Sequence, residues 1–252
     1  MKALIFCAGL GERMRPLTDH TPKPLLEVGG ASLVVWHLRK LAAIGVTDVV
    51  INLSWLADQF PRALGDGSAF GVRIAFSHEG PVPLETGGGM LHALPLLGEA
   101  PFLAVNGDVW TDLDFATLPR APAGDAHLVM IDNPPHHPRG DFCFSDGHRL
   151  QPRRDDAQNF TYSGIGVYRP EILRDWRAAF ETAEPNPGLD AQPPRFPLAP
   201  LLRAAMARGM VTGHHHAGRW TDVGTPQRLA ELDARLRAEG VGAATTAMEL
   251  SK

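Results

Sequence analysis

The sequence predicts an α/β protein, a single domain with a mixed, mainly parallel central sheet and helices on both faces. Two observations lead to this prediction. Short apolar runs alternate with helix-like segments through the first half of the chain, which is typical of strands joined by right-handed crossovers. The runs are almost continuously apolar, as expected of strands that are covered on both sides. This pattern is Rossmann-like.

The individual elements follow from local composition. Strands are predicted where β-branched and aromatic runs end at Gly, Ser, Asp or Pro. These are Ala3–Gly9, Asp48–Ser54, Val72–His78, Pro101–Asp108, Ala126–Asp132, Asp141–Ser145 and Gly164–Pro170. Helices are predicted from capping residues and apolar periodicity. They are Ser32–Gly45, Trp55–Gly65, Gly87–Gly98, Pro170–Ala183, Leu198–Gly209 and Thr225–Gly240.

Composition excludes several classes of protein. The formal net charge is −4 over 252 residues, so a surface that coats nucleic acid is not expected. Cys7 and Cys143 are too few for a disulfide framework, and reduced thiols are expected. No run approaches the roughly 20 apolar residues that cross a bilayer, and the N-terminus lacks the pattern of a signal peptide. We expect a cytoplasmic protein with no membrane partner.

The loop after the first strand reads AGLGERMR and contains two glycines. Gly9 and Gly11 can take positive φ and let a phosphate group approach the main-chain N–H groups. The dinucleotide fingerprint requires a third glycine where Met14 stands, so that motif is absent. A phosphate-binding loop ending in Gly-Lys-Ser/Thr is absent as well.

Positive charge and rigidity follow the glycines. Arg13 and Arg15 can grip phosphate oxygens through planar forks, whereas Lys23 is a compact point charge. Pro22 and Pro24 restrict the backbone on either side of Lys23, which lowers the ordering entropy lost on binding. The combination predicts a cradle for a polyphosphate. The alternative is a solvated basic loop with turn-forming glycines.

The motif G-x-G-x-R-M-x-P-x-T followed by P-K-P resembles the signature of sugar-1-phosphate nucleotidylyltransferases. Its positions here are Gly9, Gly11, Arg13, Met14, Pro16, Thr18, Pro22, Lys23 and Pro24. The resemblance implies that a nucleoside triphosphate and a sugar 1-phosphate react to give a nucleotide sugar and pyrophosphate. It also implies that Arg13 and Lys23 are catalytic. Nucleotide contacts are implied for Ala8, Gly9, Gly11, Glu85, Gly88 and Asn106.

The family also binds a metal ion between two aspartates. Asp108 ends the fourth strand at the same sheet edge as the opening loop, and Asp222 precedes the last helix. The resemblance therefore implies a Mg²⁺ site on Asp108 and Asp222, and carboxylate oxygens are the ligands that this ion prefers. The alternative for Asp108 is a turn-forming residue after Gly107, and the alternative for Asp222 is an acidic residue at a helix start.

The segment PLETGGG, Pro83–Gly89, follows the third strand. Its glycines are expected to expose free N–H donors to the nucleoside at a helix start. Many family members have glycine where Glu85 stands, so a contact with a hydroxyl of ribose or of the acceptor sugar remains open for it. A simple Gly-rich turn is the alternative.

Acceptor contacts are expected from the second half of the chain. The predicted sugar-binding residues are Asp141, Asn159, Thr161 and Gly164. Within the family, the similarity is greatest to members that use UTP and N-acetylmuramic acid α-1-phosphate in peptidoglycan recycling. The lactyl carboxylate of that sugar needs a cationic or N–H partner, for which Arg153, Arg154 and Arg195 are candidates. The segment Pro134–Asp141 is predicted to be a surface turn, with a loop over the acceptor site as the alternative.

The expected organisation is one nucleotidyltransferase domain over residues 1–235, with a tail at 236–252. Its nucleotide-binding half covers about 1–115 and its sugar-phosphate half 116–235. We expect a monomer or small homo-oligomer whose partners are UTP and a sugar 1-phosphate. Alternatives are another nucleotide with a glucose, mannose or glucosamine acceptor, or a relative that binds nucleotide sugars without catalysis. A kinase or NAD-dependent enzyme is disfavoured by the missing motifs.

Overall fold

The computed structural model describes residues 1–181 and 186–241. The predicted tail therefore lies outside the described residues from position 242 onward, and so does the end of the predicted helix Pro170–Ala183. Among the helices that are described, none combines the length and the apolar character needed to cross a membrane.

Strands and helices alternate through the first half of the chain. In chain order the strands are β1 Lys2–Phe6, β2 Glu27–Val28, β3 Ala31–Ser32, β4 Asp48–Leu53, β5 Arg73–His78, β6 Phe102–Asn106, β7 Val109–Thr111, β8 Ala126–Ile131, β9 Phe142–Phe144, β10 Leu150–Pro152, β11 Asn159–Tyr168, β12 Val211–His215 and β13 Trp220–Asp222. The α-helices are α1 Leu33–Ala43, α2 Gln59–Leu64, α3 Glu85–Leu97, α4 Ala199–Ala207 and α5 Pro226–Ala238.

A nine-stranded sheet forms the centre of the protein. The order along it is β10-β9-β11-β6-β1-β4-β5, and β8 pairs with β11 and β12. The first-half strands β6, β1, β4 and β5 are all parallel, whereas β11 runs antiparallel to β6 and β8. The predicted fold class, a mixed α/β sheet, is confirmed. Because the parallel strands end at one edge, the loops after them meet there.

Apolar residues cover both faces of this sheet. In β1, Ala3 and Ile5 belong to a core cluster that includes α1 and α5, whereas Leu4 belongs to the cluster that includes α3 and α4. Neighbouring residues of a strand point to opposite faces. The near-continuous apolar character of the strands is thus explained by burial on both sides.

The predicted helix Pro170–Ala183 is wrong. The chain forms two short 3₁₀ helices instead, Pro170–Leu173 and Trp176–Phe180. Trp176 stacks on Phe196 with ring centroids 4.3 Å apart, and Phe180 meets the same ring edge-on at 5.6 Å. Packing of these aromatic rings against a distant segment takes precedence over the local helical pattern.

Gly164 lies at an irregularity in β11, where the pairing with β8 shifts between Tyr162 and Gly166. It has a φ of 79°, a conformation that L-residues with a side chain rarely adopt. A Cβ atom at this position would lie 2.5 Å from Nδ2 of Asn106. Glycine is therefore required both by the backbone conformation and by the approach of Asn106.

Replacing Gly164 by alanine is expected to destabilise the protein by about 2–4 kcal/mol, because strain and overpacking add. The matched control is Gly147→Ala, since Gly147 has a φ of 85° but nothing within 4 Å of an added Cβ. The control should lose about 1 kcal/mol, the conformational part alone. Urea unfolding measures both values, and equal losses would contradict the steric role of Asn106.

His37 is buried and bonds to the backbone of Val109, the residue after Asp108. It is 1% exposed, its Nε2 lies 2.9 Å from the carbonyl oxygen of Val109, and its ring stacks on Phe115. Its Nδ1 has no hydrogen-bond partner among the described residues. Burial, aided by the nearby charge of Lys40, lowers the pKa of His37 to about 4, against the opposing effects of the Val109 carbonyl and Asp108. His37 is therefore neutral at pH 7 and its Nε2–H donates to Val109.

His37 should make the protein less stable in acid. Below its ordinary pKa of 6.5 the unfolded chain binds a proton that the folded chain binds only near pH 4, so stability falls as the pH drops between these values. The loss is expected to reach about 3 kcal/mol.

Urea unfolding between pH 7 and pH 4 measures this loss for the wild type and for His37→Gln, whose amide donates but does not titrate. The variant should show the weaker pH dependence. His148→Gln, at an exposed histidine, is the control and should follow the wild type. Parallel profiles for wild type and His37→Gln would rule out this source of acid sensitivity.

Candidate active site

Two adjoining cavities lie where the parallel strands end. The larger has a volume of about 690 Å³ and the smaller about 370 Å³. Arg13, Asn106 and Asp108 line both of them. Arg13 follows β1, Asn106 ends β6 and Asp108 follows it, and these two strands are neighbours in the sheet. The three residues form a wall between the cavities, called the shared wall below.

Thr18 fixes the conformation of the loop after β1 through two hydrogen bonds. Its Oγ1 donates to the carbonyl oxygen of Gly11 at 2.8 Å, and its own carbonyl accepts from Trp55 Nε1 at 2.9 Å. Gly11 has a φ of 67°, and a Cβ there would lie 2.8 Å from Thr18 Cγ2. Of the two glycines that can take positive φ, Gly11 does so in this loop and Gly9 does not.

The loop brings the expected nucleotide-binding residues to the larger cavity. Ala8, Gly9 and Gly11 all line it, and an added Cβ on Gly9 would meet nothing within 4 Å. Arg13 is exposed, and its side chain makes no hydrogen bond or ion pair with any described residue. Arg15 pairs with Asp19 at 3.3 Å and lines neither cavity. Of the two arginines, Arg13 alone faces the site.

Lys23 is the most firmly placed cation of the site. It begins a short 3₁₀ helix, Lys23–Leu25, directly after Pro22, and Pro24 is buried beneath it. Its Nζ lies 2.5 Å from Oδ2 of Asp108, with the lysine side chain only 11% exposed. The prolines fix the backbone on both sides, so the lysine reaches the shared wall without a large loss of entropy.

Asp222 reaches the same region through the pairing of β13 with β7. Asp222 lies opposite Val109 in this ladder, and the N–H of Val223 donates to the Asp108 carbonyl at 2.9 Å. The Asp222 carboxylate accepts from Arg228 and lies 3.0 Å from His136 Nε2. Asp108 and Asp222 line the smaller cavity together.

The two carboxylates provide ligands of the kind that a divalent cation needs. Oδ1 of Asp108 and Oδ2 of Asp222 accept no hydrogen bond from any described residue, so each carboxylate keeps one free oxygen. A cluster of three or more His, Cys, Asp or Glu ligands does not occur in the described part of the chain. Such a pair suits Mg²⁺, which accepts one or two carboxylates and completes its shell with water and phosphate.

A polar chain along the wall of the larger cavity, which Asn52 and Glu79 line, was not anticipated from the sequence. The N–H of Cys7 donates to Asn52 Oδ1 at 2.7 Å, and Asn52 Nδ2 donates to Glu79 Oε1 at 2.6 Å. The other oxygen of Glu79 accepts from the N–H of Leu84 at 2.7 Å. Burial raises the pKa of Glu79, while the two hydrogen bonds oppose that shift. Asn52, a polar residue within the apolar run of β4, was the available signal.

The three glycines at the start of α3 allow neighbouring segments to pack closely against this helix. The N–H groups of Gly87 and Gly88 donate to the Phe196 carbonyl at 3.0 and 2.9 Å, so the expectation that they are free is wrong. A Cβ on Gly88 would lie 2.5 Å from the carbonyl oxygen of Pro194. Gly88 therefore lies behind the cavity wall. Glu85 and Thr86, just before the glycines, line the larger cavity.

Of the predicted sugar-binding residues, Thr161 lines the smaller cavity and donates to Asn133 Oδ1 at 2.9 Å. Asp141 accepts from the N–H of Tyr162 at 2.8 Å, and Asn159 closes a turn by bonding to both backbone groups of Arg154. Asp141, Asn159 and Gly164 line neither cavity. Asp141 bonds to the backbone of β11, and Asn159 and Gly164 belong to that strand.

The histidines of Pro134–Asp141 do more than form a surface turn, because His136 and His137 line the smaller cavity. Arg153 and Arg154 instead face Asp155 and Asp156, at 3.9 and 2.6 Å, and line neither cavity. Arg195 lines the larger one. The basic side chains that line the smaller cavity are thus Arg13, His136 and His137.

Comparison with known proteins gives close relatives. An N-acetylmuramate alpha-1-phosphate uridylyltransferase of Neisseria meningitidis is 48% identical over 93% of this chain and 97% of that protein. One of Caulobacter vibrioides is 34% identical over 93% and 96%. A mannose-1-phosphate guanyltransferase of Aspergillus fumigatus is 30% identical over 90% of this chain and 62% of its own length.

Solved structures show the same fold at much lower identity. A Bacillus anthracis protein assigned as a glucose-1-phosphate thymidylyltransferase superposes with a TM-score of 0.75 at 19% identity. The match covers 94% of this chain and 95% of that one. The nucleotidyl transferase family matches residues 2–239, and the chain belongs to that family.

Proposed function

We propose that the protein transfers a uridylyl group from UTP to N-acetylmuramic acid α-1-phosphate, with Mg²⁺, and that this reaction serves peptidoglycan recycling. The products are the UDP-sugar and pyrophosphate. Support comes from the two uridylyltransferase relatives, which match nearly the full length of both chains. The observation that carries the proposal is the Lys23–Asp108 pair at the shared wall.

The two cavities suit two substrates. The larger is lined by the glycine loop, by Arg13 and Lys23, and by the start of α3, which fits a nucleoside triphosphate. The smaller, beside β11, is proposed to take the sugar phosphate. The shared wall is then where the two phosphate groups meet, and Arg13, Asn106 and Asp108 would contact both.

The chemistry needs charge neutralisation more than proton transfer. A phosphate monoester loses its second proton near pH 6, so at pH 7 the attacking oxygen is already an anion. It forms a bond to the α-phosphorus while the bond to the bridging oxygen breaks, and pyrophosphate leaves with that electron pair. Repulsion between the two polyanions is the obstacle. Arg13 and Lys23 offset it and hold the reacting groups in line.

Asp108 and Asp222 are proposed to hold the metal ion through their free oxygens. When bound there, Mg²⁺ would neutralise phosphate charge and orient the phosphate oxygens. Lys23 keeps Asp108 in place through the other oxygen, and Arg228 does the same for Asp222. The residues present therefore fit the ion.

A second candidate is transfer of another nucleotide to another sugar, as the name of the Aspergillus fumigatus relative suggests. The phosphate machinery would be the same in that case. A non-catalytic relative is the third candidate. The retention of Lys23, Asp108 and Asp222 at one site favours an enzyme.

Substrate preference can be measured by pyrophosphate release. The 1-phosphates of N-acetylmuramic acid, N-acetylglucosamine, glucose and mannose would each be tested with UTP, dTTP, CTP and GTP in the presence of Mg²⁺. The highest kcat/KM is expected for UTP with the muramic compound. A preference for another pair would replace the proposed substrates, and absence of turnover with every pair would indicate the non-catalytic relative.

Lys23→Ala should lower kcat by about 10²–10³, because one well-placed charge at the reacting groups is lost. The control is Lys2→Ala, at the opposite end of β1, where Nζ bonds to the Leu96 carbonyl. It should keep wild-type kinetics. Thermal melting checks that both variants are folded. If folded Lys23→Ala turns over at near wild-type rate, Lys23 is not catalytic.

A further inference from the structure

Glu85 has an unusual backbone conformation for its residue type. Its φ is 63°, and among the described non-glycine residues only Leu56 shares a positive φ. Such a conformation costs a residue with a side chain about 1–2 kcal/mol relative to glycine. Strain of this kind persists where surrounding structure holds it, and it is frequent at ligand sites. Glycine would avoid this cost, so the Glu85 side chain is expected to make a contact that offsets it.

The contacts of Glu85 within the protein do not offset the strain of its backbone conformation. The partner of Glu85 is Arg195, whose Nε lies 3.9 Å from Oε1, beyond hydrogen-bond distance. Both side chains are more than 40% exposed, at 44% and 42%. Exposed ion pairs of this kind contribute about 0–1 kcal/mol, which does not offset the strain. The carboxylate therefore keeps its hydrogen-bonding capacity for something outside the chain.

The position of Glu85 in the larger cavity indicates which part of a bound nucleotide it would contact. Of the three cations that line this cavity, Arg13 and Lys23 follow β1, whereas Arg195 lies beside Glu85. Glu85 itself follows β5, two strands beyond β1 in the sheet. A triphosphate bound at Arg13 and Lys23 would have its nucleoside toward β4 and β5. Glu85 does not line the smaller cavity, so the acceptor sugar lies on the other side of the shared wall.

Three other polar side chains at this end of the cavity, those of Asn52, Glu79 and Thr86, bond to described residues. Asn52 and Glu79 bond to each other, and both oxygens of Glu79 are used, one by Asn52 and one by the N–H of Leu84. Glu85 makes no such bond with the described residues. It is thus an acceptor available for a donor on the nucleoside.

We propose that Glu85, held beside Arg195, accepts hydrogen bonds from the ribose hydroxyls of the nucleotide and selects ribonucleotides over 2′-deoxyribonucleotides. A carboxylate accepts hydrogen bonds, so it repels phosphate oxygens and the keto oxygens of a base but pairs well with two adjacent hydroxyl donors. The imide N–H of uracil is a single competing donor, and the comparison of UTP with CTP below tests it. Carboxylates recognise ribose hydroxyls in this way at the carboxyl end of other parallel sheets. This inference rests on the proposed function, because it takes a nucleoside triphosphate as the ligand.

The test compares kcat/KM for UTP and dUTP in the wild type, Glu85→Gly and Glu85→Gln. Glycine accepts a φ of 63° without strain, so Glu85→Gly should fold with unchanged or higher melting temperature. We expect the UTP:dUTP ratio to fall at least tenfold in Glu85→Gly, through a lower value for UTP and a nearly constant value for dUTP. Glu85→Gln should fall between this variant and the wild type.

The matched control is Glu99→Gln, an exposed position just beyond the other end of α3. It should keep the wild-type ratio. Equal losses for UTP and dUTP in Glu85→Gly would overturn the inference, as would an unchanged ratio. So would a change in the UTP:CTP ratio alone, because that result would assign Glu85 to the base.

Failure of the proposed function is recognisable separately. If the wild type releases no pyrophosphate with any nucleotide, the same discrimination is measured as the melting-temperature shift given by UTP and by dUTP. A larger shift with UTP that disappears in Glu85→Gly would support the ribose contact even without turnover. Equal shifts by the two nucleotides in the wild type would overturn it.

Discussion

The contact between Lys23 and Asp108 is the constraint on which the rest of the site depends. It joins the segment after β1 to the end of β6, and so fixes the wall that separates the two cavities. Burying the charge of a lysine is costly unless a carboxylate pairs closely with it, and Lys23 meets the partly exposed Asp108 at 2.5 Å. Pro22 and Pro24 hold the lysine backbone, so the pair places a cation and a carboxylate together at the shared wall.

A second set of interactions keeps the neighbouring strand ends in register. The chain from Cys7 through Asn52 and Glu79 to Leu84 ties β1, β4, the loop after β5 and the start of α3. Because each buried group in it has a partner, the network is stabilising rather than costly. An added Cβ on Gly89 would lie 2.4 Å from Glu79 Oε1, so the glycine makes room for the network. The floor of the larger cavity is therefore formed before any ligand binds.

The fold and the composition of the loop after β1 could be predicted because their signals are local. Apolar runs identify strands covered on both faces, and the glycines, Arg13 and the lysine between prolines lie within one short stretch. Residues whose environment depends on distant segments could not be predicted. Gly88 packs against Pro194, and Gly164 against Asn106. A single sequence gives no sign of which remote group fills the space beside a glycine.

The charge balance of the shared wall follows from these pairings. Lys23 neutralises Asp108 and Arg228 neutralises Asp222, while Arg13 has no carboxylate partner among the described residues. Arg13 thus lines both cavities with a charge that no described carboxylate offsets. Glu12, Glu79 and Glu85 also line the larger cavity, so its cations do not outnumber its carboxylates. Attraction of a polyanion to this region would therefore depend on where each charge lies rather than on the total. A divalent cation at the free oxygens of Asp108 and Asp222 would offset two carboxylates without displacing Lys23 or Arg228.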